Sequence, residues 1–280
     1  MKIYRYIVVF SVLLFATLSV ATATAQSLNL KCMSWNILSF ERPDKSGERA
    51  GFPIADFMKL IKESNPDVIC FNEFETVTDR MKGVEKLTEC GQALGMYPFF
   101  GYSYDKSGSN GYYGNGLLSK YPIVNSGSKQ MGRYNTDSSA KDIRSVEFID
   151  ILVPTSAKPE GRKVRIVATH IETFCDDETQ VSQVGEVIDF AVAPAVADNI
   201  PVIVMGDMNC GYLSRAIQKF EQTGARLCNN DGTYENMSKL DYIIGFPKNT
   251  WSTTDYRVVT KGVTDKYSDH SPIFCTAVLK

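Results

Sequence analysis

Histidine is nearly absent from this 280-residue chain, which holds only His170 and His270. Two imidazoles cannot build a histidine-rich zinc centre, and no Cys-x-x-Cys pair offers a thiolate alternative. Positive charge is not in excess either. Thirty Lys and Arg against 32 Asp and Glu give a formal charge of −2, which excludes a broad basic surface built to neutralise a nucleic-acid backbone. The longest apolar run, Ile7 to Val20, falls short of the roughly 20 residues a membrane-spanning helix needs. Repeats and low-complexity stretches are missing as well, so no internal domain boundary suggests itself. What is there is ordinary for a globular protein: 44% hydrophobic and 22% charged residues.

The apolar run has a specific context. Lys2 and Arg5 precede it, and the small residues Ala21-Thr22-Ala23-Thr24-Ala25 follow before Gln26. This three-part layout predicts a secretory signal peptide at residues 1–25, cleaved after Ala25, with an uncleaved anchor as the rival reading. The expected product is one exported domain, 26–280, periplasmic or extracellular, without a stable membrane span. Cleavage removes two positive charges and no acidic one, so the remaining domain is more acidic than the full chain. Export permits disulfides, but the seven cysteines are odd in number. Cys32, Cys70 and Cys275 lie in apolar runs and read as core residues; of the rest, Cys210–Cys228 is the expected bridge if one forms.

Strand-like segments alternate with a few helices. Strands are expected at Leu30 to Asn36, Val68 to Phe71, Phe99 to Tyr104, Gly116 to Ser119, Ile123 to Met131, Ser145 to Val153, Val164 to Thr169 and Pro201 to Met205. Three more close the chain, at Lys239 to Ile244, Asp255 to Thr260 and Ile273 to Leu279. Helical spacing marks Phe52 to Ile61, ending before Pro66, then Met81 to Leu94, and Glu178 to Ala197 with a break at Pro194. Two sheets in one layered domain is the economical architecture.

Chemistry-bearing side chains gather where these strands end. One strand finishes at Asn36, the next at Asn72-Glu73, another at His170, and another at Asp207-Met208-Asn209. Asp241 lies in the strand expected at Lys239 to Ile244, and Ser268-Asp269-His270 precedes the last one. Taken singly, a strand-end Asp or Asn is a turn or cap residue and a lone His a satisfied structural group. The conjunction is different, because both histidines of the chain fall in these segments.

Seven segments in order carry a resemblance: Ser34-Trp35-Asn36, Pro66-Asp67 with Asn72-Glu73, Gly114-Asn115-Gly116-Leu117-Leu118-Ser119-Lys120-Tyr121-Pro122, Thr169-His170, Gly206-Asp207-Met208-Asn209, Leu240-Asp241-Tyr242-Ile243 and Ser268-Asp269-His270. The chain from about Asn29 to Lys280 resembles the endonuclease/exonuclease/phosphatase superfamily. The resemblance implies an α/β DNase I-like fold, a four-layer α/β sandwich of two mixed β-sheets packed face to face with helices outside. It also implies metal-assisted hydrolysis of a phosphate ester. Asn72 departs from the family, where Gln usually precedes the metal-binding Glu. A His at position 170 is similar to the DNase I, sphingomyelinase and inositol-phosphatase branches rather than the apurinic-site repair branch.

The implied roles follow from residue type. Mg²⁺, with Mn²⁺ as a substitute, suits a site of one or two carboxylates that keeps several waters; Glu73 is the expected ligand and Asp269 its support. Asn36, Asn115, Asn209 and His170 are expected to bind the substrate phosphate. His170, Asp207, Asn209, Asp241 and His270 form the expected catalytic set, with Asp207 holding or deprotonating water and Asp241 orienting His270. A small or lipid-headgroup phosphodiester or phosphomonoester is the preferred substrate. A secreted nuclease is the alternative, with Arg133, Lys141 and Arg144 as the nearest cations. The segment Gly101 to Gly116 carries Tyr102, Tyr104, Tyr112 and Tyr113 but only Lys106, which suits a base, a sugar ring or plain packing. A catalytically dead binding domain on the same scaffold is the third reading.

Overall fold

The computed structural model describes residues 28–40, 54–79, 81–106, 110–132, 143–259 and 267–280. The expected signal peptide, Arg133 and Lys141 lie outside them. Twelve strands are present among the described residues. One sheet contains β1 (Leu28–Asn36), β2 (Val68–Thr76), β3 (Tyr97–Lys106), β4 (Gly111–Ser119), β11 (Trp251–Val258) and β12 (Ile273–Leu279), in the order β11-β12-β1-β2-β4-β3. The other contains β5 (Ile123–Gln130), β6 (Ser145–Val153), β7 (Arg162–His170), β8 (Val202–Asp207), β9 (Ala225–Arg226) and β10 (Asp241–Phe246), in the order β5-β6-β7-β8-β10-β9. Each sheet has one parallel pair at its centre, β1 with β2 and β7 with β8; the other pairs are antiparallel.

Parallel neighbours require a crossover, and helices supply it. Helix α1 (Ile54–Ser64) joins β1 to β2, and α2 (Lys86–Leu94) follows β2. Helices α3 (Asp177–Val187) and α4 (Ala193–Ala197) join β7 to β8, and α5 (Arg215–Thr223) follows β8. Side-chain acceptors start three of these helices: Asp176 takes the Thr179 amide at 2.8 Å, Glu85 the Thr88 amide at 2.7 Å and Ser214 the Ile217 amide at 3.2 Å.

Strand alternation then sorts the core into three apolar layers. Leu30, Cys32, Val68, Cys70, Ile166, Ile203, Ile243 and Ile273 face between the sheets. Their neighbours Met33, Trp35, Ile69 and Phe71 pack on α1 and α2. Val167, Val202, Val204, Tyr242 and Ile244 pack on α3 and α5. The result is the helix–sheet–sheet–helix sandwich that the strand pattern and the resemblance imply.

Several local expectations are corrected. The helix expected from Met81 starts at Lys86, because Glu85 takes the cap position and Gly83 turns the chain at φ +66°. The break expected at Pro194 lies earlier, in a wide helical turn at Ile188–Val192; Pro194 sits in the first turn of α4, where its missing N–H costs nothing. Strand β4 begins at Gly111, so much of the tyrosine-rich segment is sheet: Tyr113 is buried, and Tyr102 and Tyr112 are exposed with ring centroids 5.9 Å apart. Helix α5 and strand β9 were not expected. All seven cysteines are free thiols, so the Cys210–Cys228 bridge is not formed; both side chains pack in the apolar layer under α3 and α5.

Candidate active site

The site is the polar end of the layer between the sheets. In β1 the row Leu28, Leu30, Cys32 faces inward, and two further steps bring it to Asn36. By the same count Val68 and Cys70 lead to Asn72, Val164, Ile166 and Ala168 to His170, and Ile203 and Met205 to Asp207. Asp241 precedes the inward Ile243, and His270 sits just before β12. The parallel registers bring the ends level, with Asn36 opposite Asn72 and His170 opposite Asp207.

Two residues leave this alternation. Asn72 and Glu73 together oppose the single Asn115 in a bulge of β2, and Glu73 takes φ +54°. Its carboxylate is therefore half-buried at the rim rather than in the wall. Asn209, just past β8, has φ +47°. Non-glycine residues in this region cost energy and gather at functional sites.

Asp207 is the focus of the geometry. Its Oδ2 accepts from Asn36 Nδ2 at 3.0 Å and lies 3.5 Å from Nε2 of both His170 and His270. Its Oδ1 accepts from the Asn209 backbone amide at 2.9 Å. The second hydrogen of Asn36 Nδ2 goes to Glu73 Oε1 at 2.9 Å, so one amide links the two carboxylates. Asp241 Oδ2 is 2.8 Å from His270 Nδ1, as the sequence led one to expect. The Ser268 hydroxyl donates to the Asn36 carbonyl at 2.6 Å, which ties the last loop to β1. Gly206 permits the close approach: at φ +147°, a Cβ there would collide with the Thr169 carbonyl.

The electrostatics divide the two histidines. Burial alone would lower the His270 imidazole, yet the carboxylates of Asp241 and Asp207 outweigh it and raise the group to about 10. His170 goes the other way. Burial, then the Arg144 guanidinium and His270, hold it well below the ordinary value. Arg144 Nη1 lies 3.0 Å from His170 Nδ1 and Asn209 Nδ2 lies 3.0 Å from its Nε2, so a donor faces each ring nitrogen. Glu172 holds Arg144 in turn, at 3.4 Å from its Nε, and accepts the Thr173 and Phe174 amides. Burial also raises the Asp207 carboxyl above its ordinary range, against the pull of His270.

Asn36, Glu73, His170, Asp207, Asn209, Asp241 and His270 are thus brought together. Asn209 Nδ2 lies 3.0 Å from His170 Nε2 and 2.9 Å from the Ile171 carbonyl. Asp269 is half-buried beside them, its carboxylate 3.4 Å from the Ser268 hydroxyl. Asn115 is different: it is buried, and its amide is engaged by Asn72 and Glu147, one step away from the cleft. Sequence reasoning missed Glu147 and Glu172. The only trace of Glu147 is a carboxylate on the inward row of β6, two residues before Ile149.

The donor set fits a hard divalent cation. It consists of carboxylate and amide oxygens with no thiolate, and it includes the half-buried Glu73. Asp207, Asp241 and His270 also each offer an atom within 4.8 Å of one another. In that group, however, Asp241 and His270 spend facing atoms on their mutual hydrogen bond.

The profile of the Endonuclease/Exonuclease/phosphatase family matches residues 33–270. No curated protein matches the sequence. Among solved structures, the chain is similar to an endonuclease/exonuclease/phosphatase family protein from Bacteroides thetaiotaomicron, 17% identical, covering 91% of this chain and 96% of that one at TM-score 0.70. A mannosyl-6-phosphatase from the same organism is 16% identical, with 89% and 100% covered at TM-score 0.66. ANGEL2, a 2′,3′-cyclic phosphatase, is 12% identical, with 91% and 96% covered at TM-score 0.69. At these identities the likeness is one of fold.

Proposed function

The chain belongs to the endonuclease/exonuclease/phosphatase family, and on that premise we propose that it is an exported, Mg²⁺-dependent phosphoesterase acting on a compact phosphate ester. The observation that carries the reading is the convergence of Asn36, His170 and His270 on one carboxylate, Asp207, with Glu73 tied to it through a shared amide. Bound at Glu73, with Asp269 in support, Mg²⁺ would neutralise charge on the phosphate oxygens, which is most of what phosphoryl transfer requires.

The side chains supply the remainder. Asp207, raised by burial, takes a proton from the attacking water as its oxygen bonds to phosphorus. His270, kept cationic by Asp241, faces the same point and gives its Nε2 proton to the alcohol oxygen as the ester bond breaks. The 3.5 Å contact between Asp207 and His270 then lets the proton pass back, which resets both groups. His170, held neutral, and Asn209, a neutral amide, face the phosphate without repelling it.

The substrate reading is supported by charge. The full chain carries −2, and a compact ester needs one or two phosphates held, not a tracked polyanion. A mannosyl-6-phosphatase and a 2′,3′-cyclic phosphatase share this fold, which supports a phosphoester substrate. The test is turnover of bis(p-nitrophenyl) phosphate with Mg²⁺ and with EDTA, in the wild type and in Glu73→Gln. We expect metal-dependent turnover and a loss of about 10²-fold or more in Glu73→Gln, since a neutral amide is a poor Mg²⁺ ligand. Absence of metal-dependent turnover on this ester and on a panel of DNA, sphingomyelin, inositol phosphates and nucleotides would leave the binding-domain reading.

A further inference from the structure

A chain of buried polar groups crosses the sandwich behind the site. Glu147 on β6 accepts from Asn115 Nδ2 on β4 at 2.9 Å. Asn115 Oδ1 accepts from Asn72 Nδ2 on β2 at 2.8 Å. Asn72 Nδ2 also donates to the Thr169 carbonyl at 2.9 Å, and Asn72 Oδ1 accepts the Asp207 backbone amide at 2.9 Å. The path leaves one sheet, runs through two amides of the other, and returns to the residue at the centre of the chemistry. None of its members is more than 2% exposed. Gly101 makes room for it, because a Cβ there would collide with the Glu147 side chain.

Resting on the phosphoesterase reading, we propose that Glu147 is a positioning residue that fixes the backbone of Asp207 through Asn115 and Asn72. A side-chain amide has distinct donor and acceptor ends, and Glu147, charged or neutral, keeps an oxygen that accepts from the donor end of Asn115. The acceptor of Asn115 must then meet the donor of Asn72, whose acceptor is left facing the Asp207 N–H. Turning either amide would set donor against donor in a buried row, where an unmade hydrogen bond is costly. Asn72 is the link that carries the row from Asn115 to the Asp207 N–H. The Thr169 carbonyl and the Asp207 N–H orient the row at one end, and Glu147 is the acceptor that closes it at the other, which an apolar residue of similar size could not do.

The experiment compares Glu147→Gln, Glu147→Leu and Asn115→Leu by kinetics on bis(p-nitrophenyl) phosphate and by amide exchange on 15N-labelled protein. Gln keeps an acceptor for Asn115, so Glu147→Gln should retain kcat within about threefold. Glu147→Leu and Asn115→Leu should each lose about 30-fold in kcat with KM within about twofold, and the double variant should be no worse than either single. In both Leu variants the Asp207 amide should exchange at least about 30-fold faster while Val204 keeps its protection. Unchanged Asp207 exchange, or additive kinetic losses, would overturn the proposal. If the wild type turns over no ester, the functional reading fails and the exchange result still decides this one. If the Leu variants do not fold, the wild type suffices: the side-chain amide hydrogens of Asn115 and Asn72 should be protected from exchange together with the Asp207 amide, and exchange at the rate of exposed side-chain amides would overturn the proposal.

Discussion

His170 and His270 are both 4% exposed and both 3.5 Å from the same carboxylate oxygen, yet they have opposite electrostatic characters. Burial lowers both. The difference is the partner on the far nitrogen: a carboxylate, Asp241, for His270 and a guanidinium, Arg144, for His170. One ring is kept as a cation that can give a proton, the other as a neutral ring that cannot be charged cheaply. An imidazole's chemistry is set by the group behind it, and the chain uses its two histidines in both ways.

The severest way to break this contrast is to remove the cation. His270→Ala should lower kcat by about 10³-fold or more, Asp241→Asn by about 10²-fold, and the double variant no further than His270→Ala, because the pair acts as one unit. Steady-state kinetics at saturating Mg²⁺ decides it; losses that multiply in the double variant would separate the pair. The next largest effect should come from the other side. Arg144→Met removes the charge that holds His170 down, so its imidazole should titrate closer to the ordinary histidine value by 15N NMR, with kcat lower by about 10- to 10²-fold. An unmoved His170 titration would mean that burial alone sets it.

Stability should sharpen the comparison. His270 is raised in the folded protein, so its contribution is complete below the unfolded histidine value and is lost as pH climbs toward 10. His170 is lowered, so its contribution is present above the unfolded value and is lost as pH falls below it. The two limbs slope in opposite directions, each by at most about 1.4 kcal/mol per pH unit. Urea titrations in EDTA should show His270→Asn flattening the alkaline limb and His170→Asn the acid one; the reverse pattern would make His170 the cation and His270 the neutral ring. The smallest effect concerns salt. Turnover of a small ester should change by less than about twofold between roughly 50 and 200 mM salt, since few phosphates are neutralised. Efficient cleavage of duplex DNA with a log–log salt slope steeper than about −3 would favour the nuclease reading instead.

Much of the site was legible before any coordinates. Asn36, His170 and Asp207 each end an alternating apolar strand, and period two continues the inward row into the polar residue. Asp241 and His270 were paired through the resemblance, and they lie 2.8 Å apart. Tyr112 and Tyr113 fall outside the strands that the pattern predicts because glycines interrupt the alternation there, whereas pairing with β2 and β3 extends β4 back to Gly111. Helix α5 is short and begins after Ser214, and its buried stripe of Ala216, Ile217 and Phe220 was too brief to stand out from its polar neighbours.

The sequence by itself determined the alternation of each strand, and therefore which residues face between the sheets. It also determined that the polar members of those rows sit at strand ends, because each row is short and the change from apolar to polar is local. Only the tertiary structure decided the partners across the sandwich. Arg144 meets His170 across a separation of 26 residues, and Asn72 meets the Asp207 amide across 135. Such contacts depend on how two sheets stack and register, which no local period encodes. The charge state of each buried ring follows from those contacts, so it was settled by packing rather than by residue type.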